Sequence, residues 1–186
     1  MVIPRPRFRW SVDDYEKLFR HGILTENHKV ELIRGEIVPK MSIGDLYASC
    51  LKRLAELFFD LVRKSATSSI QDPIRLADSE PEPDFALLKR RADYYASGKP
   101  TPIDVLLVIE VADASLAYDR EVKGPLYAEN GIAEYWIVNL IDRCLEVSRD
   151  PKPDGTYADN WTLRPGDSIS LVLAPTISVS VAEIVP

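Results

Sequence analysis

Soft metal ligands and redox groups are scarce in this chain. Its 186 residues include two cysteines, Cys50 and Cys144, and two histidines, His21 and His28. The cysteines are too far apart for a CxxC metal or redox motif and read as reduced, buried thiols of a cytoplasmic protein. The histidines share no metal-ligand spacing, which argues against a zinc site or a histidine base. No apolar run approaches the ~20 residues of a membrane span. The N-terminal MVIPRPRFRW has basic residues with no apolar stretch behind them, so it does not read as a secretory signal. No GxSxG elbow, P-loop or GxGxxG is present, which removes serine-hydrolase, NTPase and dinucleotide readings. Basic charge is short as well: the net charge is −6 and the pI about 5.0. That balance argues against holding nucleic acid by general electrostatics, although a carboxylate site is itself acidic until its metal arrives. Arg5, Arg7 and Arg9 could touch phosphate, but a solvated N-terminal arm is the plainer reading.

With 46% hydrophobic and 28% charged residues, the chain reads as one globular domain over 1–186, of mixed α/β (α+β) class. Ser11 followed by Asp13 and Asp14 starts a helix that stops near Gly22. Val30–Ile33 and Glu36–Val38 flank Arg34-Gly35 as a hairpin. From Asp45 to Arg63, apolar residues at 47, 50, 51, 54, 58 and 61 keep helical spacing and read as a core-facing stripe. Residues 68–70, 73–76 and 84–88 are strand candidates, with a Pro-rich acidic loop over 77–83. Residues 89–101 read as a short helix and surface loop. Residues 134–138 and 144–147 form a strand pair, 150–160 a loop or hairpin tip, and 169–185 a strand with a terminal helix.

The functional signal lies in 102–135. The apolar run Val105–Ile109 reads as a strand buried on both faces, and it meets the carboxylate Glu110. A carboxylate there is costly unless a metal, a proton or a hydrogen-bond network takes up the charge. Glu31 and Asp84 also sit at strand ends, where the three acids can meet. A Pro-Asp step followed by a buried strand ending in Glu is the spacing of a metal-dependent phosphodiesterase. Two carboxylates can hold Mg²⁺ or Mn²⁺, with the Val111 carbonyl completing the set, and such an ion activates water and neutralises charge. A lysine is then needed. Two residues after Glu110 stands Ala112, so Lys123, on the helix that follows, is the candidate. For Glu31 an exposed or salt-bridged strand residue is the competing reading. Asp119 and Arg120 read as helix-capping and pairing residues, and Tyr127 as a packing residue whose hydroxyl can support the site.

The blocks VELIRGEIV, IQDPIRL, EPDFALL and LLVIEVADASLAYDREVKGPLYAENGIAEYWIVN resemble the Uma-two family of putative restriction endonucleases. The likeness runs over about residues 10 to 150, and departs from the common pattern at Tyr47 and Asn139. It implies a PD-(D/E)xK-type nuclease fold: a mixed central sheet flanked by helices, here with an extra N-terminal helix and hairpin and a short C-terminal β extension. The family's active-site pattern falls on Glu31, Asp84, Glu110 and the displaced Lys123, with Gln71 lining the same site. The implied activity is Mg- or Mn-dependent hydrolysis of DNA. An inactive nucleic-acid- or protein-binding module on the same fold is the alternative. A homodimer is expected by analogy with nucleases that cut both strands through two sites.

Overall fold

The apolar run ahead of Glu110 forms the third strand of a six-stranded sheet. The computed structural model describes residues 7–40, 44–62 and 64–186; Arg5 and Arg63, named above, lie outside them. In chain order the elements are α1 (Val12–Arg20), β1 (Val30–Ile33), β2 (Glu36–Pro39), α2 (Asp45–Val62), β3 (Ala66–Ile70), β4 (Phe85–Lys89) and β5 (Val105–Ala112). They continue with α3 (Leu116–Tyr118), α4 (Gly124–Glu129), β6 (Glu134–Asn139), β7 (Cys144–Pro151), β8 (Tyr157–Leu163), β9 (Ser168–Leu171), β10 (Ala174–Ser180) and α5 (Val181–Ile184). A π-helical turn, Asp119–Lys123, joins α3 to α4. The main sheet has the order β3-β4-β5-β6-β7-β8. It is antiparallel throughout except between β5 and β6, which run parallel. Parallel neighbours need a crossover, and α3–α4 supplies it.

Alternation along β5 divides the core. Leu107, Ile109 and Val111 face Cys50, Leu54 and Phe58 of α2, together with Val179, Val181 and Ile184 from the C-terminal elements. Val108 and Ala112 face Leu126 and Tyr127 of α4, beside Tyr135 and Ile137 of β6. Each large apolar side chain fully buried here contributes about 1.5–3 kcal/mol. Glu110 shares the α4 face by register, so the strand delivers its carboxylate beneath the crossover helix. Glu110 lies within β5 and not at its last residue. Both cysteines are buried free thiols.

Local chemistry explains the N-terminal units. The Ser11 hydroxyl accepts the Asp14 N–H at 3.1 Å and caps α1, worth about 1 kcal/mol. Arg34 and Gly35 both adopt left-handed backbone (φ 50° and 74°), as the tight β1–β2 turn requires. Leu32 and Glu80 exchange backbone hydrogen bonds of 3.4 and 2.7 Å, and Gly35 N–H reaches the Asp78 carbonyl at 2.9 Å. The hairpin is thereby stitched to the acidic loop, bringing Glu31 to the end of the main sheet.

Two local expectations fail. Residues 73–76 form no strand, because the Ile74 and Leu76 N–H groups turn to the Pro81 and Ser79 carbonyls. Residues 89–101 hold turns and no helix: Asp93 accepts hydrogen bonds from Arg91, Ser97 and the Tyr95 N–H, closing a knot with Tyr94 and Tyr95 in left-handed backbone. The segment 150–160 holds the tip of the β7–β8 hairpin, as expected, with the ladder running on as far as Pro151 and Tyr157.

Glu134 is wholly buried on β6. It accepts hydrogen bonds from Trp136 Nε1 at 3.0 Å and Arg149 Nε at 2.9 Å, and from the Val172 N–H at 3.0 Å. It therefore ties the β9–β10 hairpin to the sheet. Removing one partner of a buried pair strands the other, so Glu134→Ala should lower unfolding stability by about 3–5 kcal/mol in urea titration. A loss below about 1 kcal/mol would show that the cluster carries no weight in the fold.

Candidate active site

At one end of the sheet, β4 begins where β5 ends, and the antiparallel register brings Asp84 beside Val111. The Val111 N–H donates to Asp84 Oδ2 at 2.7 Å, and the Asp84 N–H donates to Glu110 Oε2 at 3.4 Å. The Ala112 carbonyl accepts from Leu140 on the β6 side at 2.9 Å. Backbone alternation therefore turns the Val111 carbonyl toward β4 and Asp84.

Lys123 comes down from the crossover helix. Its Nζ lies 3.1 Å from Glu110 Oε1 and 3.5 Å from Glu31 Oε2. Tyr127, one turn further on, donates its hydroxyl to Glu110 Oε1 at 2.8 Å. Glu31 Oε2 also accepts the Glu82 N–H at 3.1 Å. These groups are dry: Glu31, Glu110, Asp119 and Lys123 are 4, 2, 3 and 7% exposed. The widened turn Asp119–Lys123 places both of its end residues inward. Such π-helical turns recur at functional sites. Gly124 follows, and a β-carbon there would stand 3.2 Å from the Asp119 carbonyl and 3.3 Å from the Tyr135 ring, so glycine lets the helix lie this close to β6.

Burial pushes the Glu110 carboxyl up to about 7; Lys123 and Tyr127 oppose that shift, and Asp84 and Glu31 reinforce it. Asp119 is likewise pushed up to about 7 by burial and by Glu110, and burial also raises Asp84. Burial works against the Lys123 charge, but Glu110, Glu31, Asp119 and Asp84 outweigh it and hold the ammonium protonated. Four acids thus surround one lysine, whose charge offsets only part of theirs.

Of the residues expected from the sequence, Glu31, Asp84, Glu110, Lys123 and Tyr127 converge. Gln71 reaches the group at one remove: its Nε2 donates to the Tyr47 hydroxyl at 2.9 Å, and that hydroxyl donates to Asp84 Oδ1. Two further members had been given other roles. Tyr47 counts in the apolar stripe of α2, and only its ring is core. Asp119, expected to cap the helix, turns inward through the π turn; the acid-rich spacing Asp119, Glu121 could not reveal which side would be buried. Arg120 does pair outward, with Glu146.

The donor set suits a hard divalent cation. Among the described residues no group of three or more His, Cys, Asp or Glu side chains is placed to hold a metal ion, so a site here would rest on two carboxylates and backbone or water oxygens. Among the described residues, Glu110 Oε2 and both Asp84 oxygens each accept one hydrogen bond. An ionised carboxylate oxygen accepts about two, so each of these oxygens keeps the capacity to accept one more donor or a cation. An all-oxygen set with excess negative charge fits Mg²⁺ or Mn²⁺.

A family model described as Uma2, putative restriction endonuclease, matches residues 12–182. A crystal structure described as a putative nuclease from Anabaena variabilis superposes with a TM-score of 0.72 at 14% identity, over 94% of this chain and 96% of that one. Likeness at that identity speaks for the fold. Comparison with curated proteins gives no match. Among the described residues no helix is long and apolar enough to cross a membrane.

Because the folded-state carboxyl of Asp119 is raised, its contribution to stability is complete below pH about 3.8 and is lost as the pH climbs to about 7. Asp119→Asn has no such loss. Without metal, the variant's melting temperature relative to wild type should therefore rise between pH 4 and 7, by about 2–4 °C per kcal/mol for a domain of this size. Parallel melting curves across that range would contradict the burial of Asp119 beside Glu110.

Proposed function

The chain belongs to the Uma2 family of putative restriction endonucleases, and on that premise we propose that it is a metal-dependent nuclease hydrolysing phosphodiester bonds in DNA. The observation that carries the reading is the meeting of Asp84, just ahead of β4, Glu110 on β5, and Lys123 on the crossover from β5 to β6. Asp84, Glu110 and the Val111 carbonyl would hold Mg²⁺ or Mn²⁺. Bound there, the ion would supply Lewis-acid stabilisation of phosphoryl charge and activation of water.

The remaining work falls to the chain's own side chains. Lys123 Nζ would orient the attacking water and offset charge on the phosphate. Tyr127 holds Glu110 Oε1 through its hydroxyl, leaving Oε2 for the ion. Glu31 shares the Lys123 ammonium with Glu110 and helps fix it there. Burial of the lysine strengthens each of these interactions by excluding water. A non-catalytic binding module on the same fold is the second reading, favoured by the net charge of −6, which provides no general attraction for DNA.

Supercoiled plasmid and single-stranded DNA should be cut in Mg²⁺ or Mn²⁺ and left intact in EDTA. Glu110→Ala should abolish cleavage, and Lys123→Ala should slow it by about 100-fold or more. Metal binding without cleavage of either DNA would favour the binding module. Cleavage that survives Glu110→Ala unchanged would move the site elsewhere.

A further inference from the structure

We propose that Tyr47 is a positioning residue of the metal site, its hydroxyl fixing the Asp84 carboxylate for the ion; the inference rests on the metal-site reading above. Asp84 accepts hydrogen bonds at three points. The Val111 N–H takes Oδ2 at 2.7 Å, Tyr47 takes Oδ1, and the Asp84 carbonyl accepts the Gln71 N–H at 3.2 Å. Gln71 Nε2 then closes a ring by donating to the Tyr47 oxygen at 2.9 Å.

The direction of each bond follows from the inventory of donors. An ionised carboxylate only accepts, so the Tyr47 proton is committed to Asp84, and the phenol oxygen can only accept in turn. Gln71 must therefore present its NH₂ and not its carbonyl oxygen. Gln71 also stands in left-handed backbone, φ 53°, a conformation that costs a non-glycine residue free energy and collects at functional sites. Here it folds the end of β3 back so that backbone and side chain of one residue both brace Asp84.

The ring and the hydroxyl of Tyr47 have separable roles. The ring packs with the α2 core stripe against β4 and β5; the hydroxyl alone reaches the site. With Oδ1 and Oδ2 held by donors from different elements, the carboxylate plane cannot rotate. Outer partners of this kind are commonly worth 10–100-fold in metal affinity.

Tyr47→Phe keeps the ring and deletes the hydroxyl. Titrating Mn²⁺ alone into metal-free protein by calorimetry, with melting temperature measured alongside, separates the outcomes. The variant should bind Mn²⁺ about 10-fold or more weakly than wild type, while melting within a few degrees of it. Adding Gln71→Ala to Tyr47→Phe should change the affinity no further, because the glutamine amide acts through the phenol. Wild-type affinity in Tyr47→Phe, with binding abolished in Asp84→Ala, would overturn the role of Tyr47 and leave the metal site standing. Additive losses from the two substitutions would overturn the ring of hydrogen bonds. No Mn²⁺ binding by wild type would overturn both this inference and the metal-site reading.

Discussion

Glu31, Glu110 and Asp119 are drawn out of water around a single ammonium, Lys123, with the half-buried Asp84 beside them. Isolated charges in such surroundings cost several kcal/mol each, and one lysine offsets only part of that. The protein tolerates the rest through protonation, with Glu110 and Asp119 pushed up to about 7, and through hydrogen bonds from Tyr127, Tyr47 and the Val111 and Asp84 amides. A structure selected for stability alone would place leucine or isoleucine at Glu110, since apolar replacements of buried ion pairs are often neutral or stabilising. The strain makes chemical sense if a divalent cation shares the site.

The topology serves that cluster. The single parallel step in the sheet, β5 to β6, obliges the chain to cross over in a helix, and that helix lies on the face of β5 to which alternation assigns Glu110. The π turn adjusts its pitch so that Asp119 and Lys123 both point down. On the opposite flank, α2 fills the core with Leu54 and Phe58 while its first turn lends Tyr47 to Asp84. Scaffold and site are thus the same elements seen from two faces, which is why the core residues Val108 and Ala112 bracket the carboxylate.

Much of this was legible in the residues. An unbroken apolar run meeting Glu110, the Pro83-Asp84 step, and a lysine on the following helix were enough to assemble Asp84, Glu110 and Lys123, because strand ends and crossovers obey strong geometric rules. The Ser11 cap and the Arg34-Gly35 turn were equally plain, being encoded within a few residues. Less legible was anything that depended on a side chain doing two jobs. Tyr47 looked like core because its ring is core. Asp119 looked like a cap because it stands early in a helical segment, where acids commonly cap; the fold buries it instead. Residues 73–76 had strand composition, yet Pro73 and the pull of the Ser79 and Pro81 carbonyls left no ladder to join.

The central claim is that Asp84, Glu110 and the Val111 carbonyl together form a cation site with Lys123 beside it. Anomalous diffraction from crystals soaked in Mn²⁺ tests it most directly. The account predicts a peak bounded by the oxygens of those three residues, retained in Lys123→Ala and absent in Glu110→Ala. A well-diffracting soak with no peak there, or with the ion held by other residues, would contradict it.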